Sequence, residues 1–240
     1  MNTLTTQMGE LTCRIVGADQ PTFVVVLCHG YGAPGTDLVP MAHELLRARP
    51  ELAERVRFLF PEAPLELPGF FGGRAWWHID IARYERAMRT GEIRDMRTEV
   101  PDGLPSSRRK LMGLLEVAQA EMGLPLGQFL LGGFSQGAML ATDVTLRLED
   151  APAGLAALSG TLLCEEEWRP RASKRAGLPV LQSHGTVDPI LPFQAAEWLH
   201  EMLSESGLNV EFIPFHGAHT IPGEAMLSLA GMIERLAPAG

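Results

Sequence analysis

Five residues, Gly133-Phe134-Ser135-Gln136-Gly137, join the apolar run Phe129-Leu130-Leu131 to a helix-compatible segment at 138–148. Two glycines bracketing a central serine, between a strand and a helix, form the sequence of a nucleophile elbow. Such a turn holds the serine in a strained backbone conformation. A side chain at either glycine would collide with the neighbouring strand or helix. The seryl oxygen is then presented at the sheet edge, above the positive end of the following helix.

An elbow of this kind calls for an acid and a base later in the chain, each delivered from a strand end. The acid candidate is Asp188, in Leu178-Pro179-Val180-Leu181-Gln182-Ser183-His184-Gly185-Thr186-Val187-Asp188-Pro189, where a short apolar strand runs into a Gly-containing turn. The base candidate is His219, in His216-Gly217-Ala218-His219-Thr220-Ile221-Pro222, after a strand at 210–215. All three sit in loops beyond expected strands, where open α/β sheets place their sites. Other readings stand beside these. Asp188 before Pro189 also suits a turn or the N-cap of the next helix. His216 competes with His219, which is preferred because Gly217 and Ala218 carry it out of the strand. His29 and His184 read as loop-shaping residues, His43 and His200 fall in helical patterns, and His78 lies among aromatics. A metal site on His216 and His219 lacks a third ligand at suitable spacing.

One donor for an anionic intermediate is expected from the amide after the serine, that of Gln136, and another from a loop after an early strand. Phe23-Val24-Val25-Val26-Leu27-Cys28 is continuously apolar, as a buried parallel strand requires. It opens into His29-Gly30-Tyr31-Gly32-Ala33-Pro34-Gly35, and the Tyr31 amide is the second expected donor. A phosphate-cradling role for that loop would need the lysine and hydroxyl pair of a P-loop, which it lacks.

Further strands are expected at 11–16 (an antiparallel edge), 56–60, 129–131, 154–159, 180–183 and 210–215, with helices at 37–48, 107–122, 136–148, 193–206 and 224–236. The alternation implies an α/β class with a mainly parallel sheet and helices on both faces. Residues 1–240 are read as one domain with a cap-like insertion at about 62–105, including short helices around 79–90. Phe70, Phe71, Trp76 and Trp77 of that insertion, with Leu162 and Leu163 opposite, are expected to line an acyl pocket; packing of the cap onto the sheet is the alternative.

A net charge of −9 disfavours a nucleic-acid partner. The basic cluster Arg108-Arg109-Lys110 reads as a solvated helix face. No apolar run approaches the roughly 18 residues needed to span a bilayer, and no signal-peptide pattern opens the chain. Three scattered cysteines, Cys13, Cys28 and Cys164, do not make a disulfide framework, and a cytoplasmic location is expected.

Taken together, His29-Gly30-Tyr31-Gly32, Gly35-Thr36-Asp37-Leu38, Phe60-Pro61-Glu62-Ala63-Pro64, Arg74-Ala75-Trp76-Trp77, Gly132 to Gly137, Ser183 to Pro189 and His219 to Pro222 resemble the phospholipase/carboxylesterase family of α/β hydrolases. The blocks run from about residue 23 to 222. The resemblance implies the α/β-hydrolase fold and a serine esterase or thioesterase without cofactor or metal. Its triad would be Ser135, Asp188 and His219, its oxyanion donors Tyr31 and Gln136. The expected reaction is hydrolysis of carboxylic esters of short to medium acyl chains. Acyl-protein thioesterase, lysophospholipase, peptidase and acyltransferase are alternatives, as is a non-catalytic binding protein. The expected partner is a small-molecule ester or thioester, with a homodimer left open. Ala33, His78 and Ala218 depart from the family pattern and leave substrate preference open.

Overall fold

The computed structural model describes residues 2–69, 71–90 and 93–238. Its strands are Leu4–Met8 (β1), Leu11–Gly17 (β2), Phe23–Cys28 (β3), Val56–Pro61 (β4), Leu65–Glu66 (β5), Arg74–Ala75 (β6), Phe129–Phe134 (β7), Gly154–Leu158 (β8), Pro179–Gly185 (β9) and Asn209–Phe215 (β10). Eight of them form one sheet in the order β1-β2-β4-β3-β7-β8-β9-β10, and β5 and β6 pair separately. From β4 to β10 every pairing is parallel, whereas β1 with β2 and β2 with β4 are antiparallel.

Strand alternation divides the core in two. Val24 and Val26 of β3 pack under helices Leu104–Met122 (α3), Gln136–Arg147 (α4) and Phe193–Glu205 (α6). Phe23, Val25 and Leu27 pack on the other face, under Val39–Ala48 (α1) and Gly223–Leu236 (α7). All six β3 residues are buried, which explains why this strand is apolar without interruption. The remaining helices are Ile81–Thr90 (α2) and Glu165–Ala172 (α5).

The sequence did not announce β1, α5 or the short β5–β6 pair. β1, Leu-Thr-Thr-Gln-Met, is mostly exposed and lacks an apolar run. It makes the sheet edge, so β2 is antiparallel as expected but interior. α5 carries three glutamates in its first turn and Pro170 inside it, and it buries Trp168 and Ala172. Acidic first-turn residues suit the positive end of a helix, and that charge density hides the short apolar face.

α5 is also held by charge. Asp143 on α4, its side chain fully buried, accepts from Arg108 Nε at 2.5 Å, Arg147 Nε at 2.8 Å and Trp168 Nε1 at 2.8 Å. Arg147 also pairs with Glu167. The reading of the 108–110 cluster as a solvated face is thereby corrected: Arg108 joins α3 to α4, and Lys110 pairs with Glu10. Removing the shared anion strands the Arg108 guanidinium, 17% exposed, and leaves Arg147 with Glu167 alone. Asp143→Ala is expected to cost about 3–5 kcal/mol, read from the midpoint and slope of a urea unfolding curve.

Candidate active site

Chain order reverses beside β3, which has β4 on one side and β7 on the other. Loops leaving β3 and β7 therefore diverge and open a crevice at the carboxyl edge of the sheet, where α/β folds bind ligands. Ser135 follows β7, Tyr31 follows β3, Asp188 follows β9 and His219 follows β10. The fold delivers all four to one end.

Ser135 has φ 55° and ψ −118°, a left-handed conformation that costs a non-glycine residue about 1–3 kcal/mol. Its flanking glycines are steric necessities. A Cβ on Gly133 would lie 2.5 Å from the Cys28 carbonyl oxygen, and one on Gly137 would meet the same carbonyl more closely still. Ser135 is the N-cap of α4, and the amide of Gln136 opens the helix with no carbonyl of that helix available to it. Gly30 packs so close that an added Cβ would lie 3.3 Å from Ser135 Cβ. The Gly30-Tyr31 loop is thus in van der Waals contact with the elbow.

His219 Nδ1 lies 2.6 Å from Asp188 Oδ2. A carboxylate only accepts, so Nδ1 carries the hydrogen and Nε2 is left as the basic nitrogen. The other Asp188 oxygen accepts from the amides of Ile190 at 2.8 Å and Leu191 at 2.9 Å. Burial alone would raise the Asp188 pKa. Hydrogen bonds from His184, His219 and the Leu191 amide outweigh it and hold the carboxyl well below the usual range. The folded pKa is below the unfolded value of about 3.9. Its contribution to stability is therefore full above about pH 4 and is lost as pH falls through the folded value. Asp188→Asn is expected to flatten the fall of unfolding free energy below about pH 4, measured by urea titrations at several pH values. The acid and base loops are fastened together by Thr186 N–H to the Phe215 carbonyl at 2.8 Å and Val187 N–H to the Gly217 carbonyl at 3.2 Å. Ser159 Oγ donates to the Thr220 carbonyl at 3.2 Å from below. His216 is exposed.

Ser135, Gln136, Tyr31 and His219 line one cavity of about 630 Å³, with Trp77, Ile79, Met96, Val100, Met139 and Leu191 among its apolar walls. Phe134 lines it too, its ring 4.7 Å from that of His219. Polar residues at the same cavity include Asp37, His78, Arg83, Arg94 and Glu99; Glu99 pairs with Arg83 at 2.9 Å and Arg94 at 3.0 Å.

Of the expected acyl-pocket residues, Trp77 reaches this cavity and several others do not. Trp76 is buried outside its lining: its indole N–H donates to the His29 carbonyl at 2.9 Å. Leu162 and Leu163 are core residues, drawn inward as the chain turns into α5. Phe71 is fully exposed, next to Gly72 with its positive φ. Phe70 lies outside the described residues.

Gln136 does more than offer its backbone. Its side-chain oxygen accepts the Trp76 amide at 2.9 Å and its nitrogen donates to the Trp77 carbonyl at 2.8 Å. Ser107 Oγ donates to the Trp76 carbonyl at 2.5 Å. The Arg74 backbone takes the Gly32 amide and gives its own to the Ala33 carbonyl, at 2.9 and 3.1 Å. The Trp77 wall, the elbow and the Gly30-Tyr31 loop are therefore one hydrogen-bonded unit. Buried His29 completes it, accepting the Ala63 amide at Nε2 and donating from Nδ1 to the Gly30 carbonyl. Burial lowers the pKa of His29 and keeps it neutral for that double role. Adjacent polar side chains beside a tight turn were the available signal for this unit, but a sequence does not say what they bind.

The cysteines are free and buried, and desolvation pushes the Cys13 and Cys164 thiols up to about 12. Among the described residues, no helix is long and apolar enough to cross a membrane.

A family model described as phospholipase/carboxylesterase matches residues 13–237. An acyl-protein thioesterase 1 of Kluyveromyces lactis is 32% identical over 187 residues, covering 75% of this chain and 76% of that protein. An acyl-protein thioesterase 1 of Eremothecium gossypii is 30% identical, covering 78% and 75%. Among solved structures, esterase PE8 superposes with a TM-score of 0.77 at 25% identity, covering 94% of this chain and 99% of that one. A carboxylesterase from Mesorhizobium loti, at 18% identity and a TM-score of 0.75, covers 98% and 99% and shares the fold.

Proposed function

The chain belongs to the phospholipase/carboxylesterase family of α/β hydrolases, serine hydrolases acting on esters, and on that premise we propose a carboxylesterase working through a covalent acyl-enzyme. Ser135 attacks the acyl carbonyl while His219 Nε2 takes its proton. Asp188 fixes the imidazole tautomer and stabilises the imidazolium that forms. The amides of Tyr31 and Gln136 receive the developing oxyanion. His219 then protonates the departing alcohol or thiol and activates water for the second half-reaction.

The observation that carries this reading is the 2.6 Å contact between Asp188 and His219 beside a cavity that Ser135 and His219 both line. The largely apolar walls favour an acyl chain, each buried methylene contributing about 0.8 kcal/mol. Short to medium chains are the proposed substrates. A thioester serves the same acyl-enzyme, and the relatives named acyl-protein thioesterase 1 favour testing that second reading directly. Three free, buried thiols support residence in a reducing compartment.

A panel of p-nitrophenyl esters and matched thioesters of increasing chain length tests the substrate class. A rise in kcat/KM with chain length followed by a fall is expected, with amides far slower; equal turnover of amides would sink the esterase reading. His219→Ala is expected to lose at least a thousandfold in kcat, and His216→Ala to stay within about threefold of wild type, because His216 touches neither Asp188 nor the cavity. The reverse order would move the base to His216.

A further inference from the structure

His184, at the carboxyl end of β9, is wholly buried, and the proposed mechanism gives it no task. Its Nε2 lies 2.8 Å from the Leu191 carbonyl oxygen. A carbonyl only accepts, so this nitrogen carries the ring hydrogen. The same Nε2 stands 3.3 Å from Asp188 Oδ2, the oxygen that receives His219. The remaining ring nitrogen, Nδ1, is buried without a hydrogen-bond partner among the described residues.

The Leu191 backbone is consequently held at both its N–H and its carbonyl. Its N–H goes to Asp188 Oδ1 and its carbonyl to His184. The 188–191 turn and the acid thus close on one imidazole, and Leu191 itself lines the cavity. We propose that His184 is a positioning residue: its Nε2–H, shared between the Leu191 carbonyl and Asp188 Oδ2, sets the rotation of the carboxylate that His219 needs. The idea rests on the proposed role of Asp188 and His219. The imidazole N–H beside Asp188 Oδ2 also helps to hold the Asp188 carboxyl below the usual range. Without it the carboxylate keeps its two amides but loses the donor that turns Oδ2 to the base. Misorientation of that order costs about ten- to a hundredfold in rate.

Three variants separate this role from packing. In His184→Gln the amide nitrogen stands about as far along the side chain as imidazole Nε2 and can donate to the same two oxygens. His184→Asn is polar but falls short of them, and His184→Leu has no donor. With a p-nitrophenyl ester, kcat is expected to fall ten- to a hundredfold in the Leu and Asn variants with KM within about twofold, and to recover to within about threefold in the Gln variant. The far-downfield proton resonance of the His219–Asp188 hydrogen bond should persist in wild type and Gln and shift or broaden in Asn and Leu. Should the Leu variant fail to fold, Asn against Gln decides. Equal loss in all three variants, or wild-type kcat and an unchanged resonance in Asn, overturns the proposal. Failure of the parent reading looks different: Ser135→Ala would keep its activity, or wild type would lack the His219–Asp188 resonance.

Discussion

Ser135→Ala is expected to lower kcat toward p-nitrophenyl esters by about four to six orders of magnitude, with KM little changed. The elbow holds residue 135 at φ 55° whatever its side chain, because Gly133 and Gly137 press against the Cys28 carbonyl. Alanine lacks an oxygen yet fits the same backbone, so the cavity and the Gly30-Tyr31 loop keep their form. Residual turnover would come from an intact set of oxyanion donors and from substrate binding, which alone accelerate hydrolysis over water by about 10³–10⁴ in comparable sites. Since a left-handed alanine is no easier to hold than a left-handed serine, the unfolding midpoint should barely move. A large activity loss with unchanged stability is the signature of a nucleophile rather than of a structural serine. Loss of both together would count against the assignment.

Asp188→Asn should cost about 10⁴ in kcat, more than the removal of one hydrogen bond would suggest. The carboxylate accepts at both oxygens: two backbone amides on one and His219 on the other, with His184 Nε2 3.3 Å from that second oxygen. An asparagine placed to keep the amides on its oxygen presents its NH₂ to His219. The imidazole then accepts at Nδ1 and carries its hydrogen on Nε2, the wrong tautomer for taking a proton from serine. The defect should appear in kcat, and raising the pH should relieve it only partly. A variant within tenfold of wild type would mean that Asp188 only closes its turn, the alternative that the sequence left open.

Much of this arrangement was legible in the chain because it depends on local order. β3 and β7 are apolar runs buried on both faces, and such runs announce themselves. Ser135, Asp188 and His219 each follow a strand, and strand ends in a parallel sheet converge by topology rather than by any pairwise signal. The misses depend on distance. β1 is specified by its antiparallel register with β2 and not by its own polar side chains. α5 is held by the bond from Trp168 to Asp143, 25 residues away in the chain. Trp76 and Trp77 look equivalent in sequence, yet Trp76 hydrogen-bonds His29 from outside the cavity while Trp77 faces its interior. Which side of a segment meets substrate is decided by what it packs on. The second imidazole at Asp188 was hidden likewise: His184 ends a strand and resembles any loop-shaping histidine until its distance to the acid is known.

The most direct measurement is intact-mass and peptide mapping after brief exposure to a fluorophosphonate ester, which phosphonylates only an activated serine. One adduct is expected in wild type, located on Ser135, absent in Ser135→Ala and formed at least a hundredfold more slowly in His219→Ala. Labelling of Ser135→Ala at the wild-type rate, or an adduct on any other residue, would contradict the account.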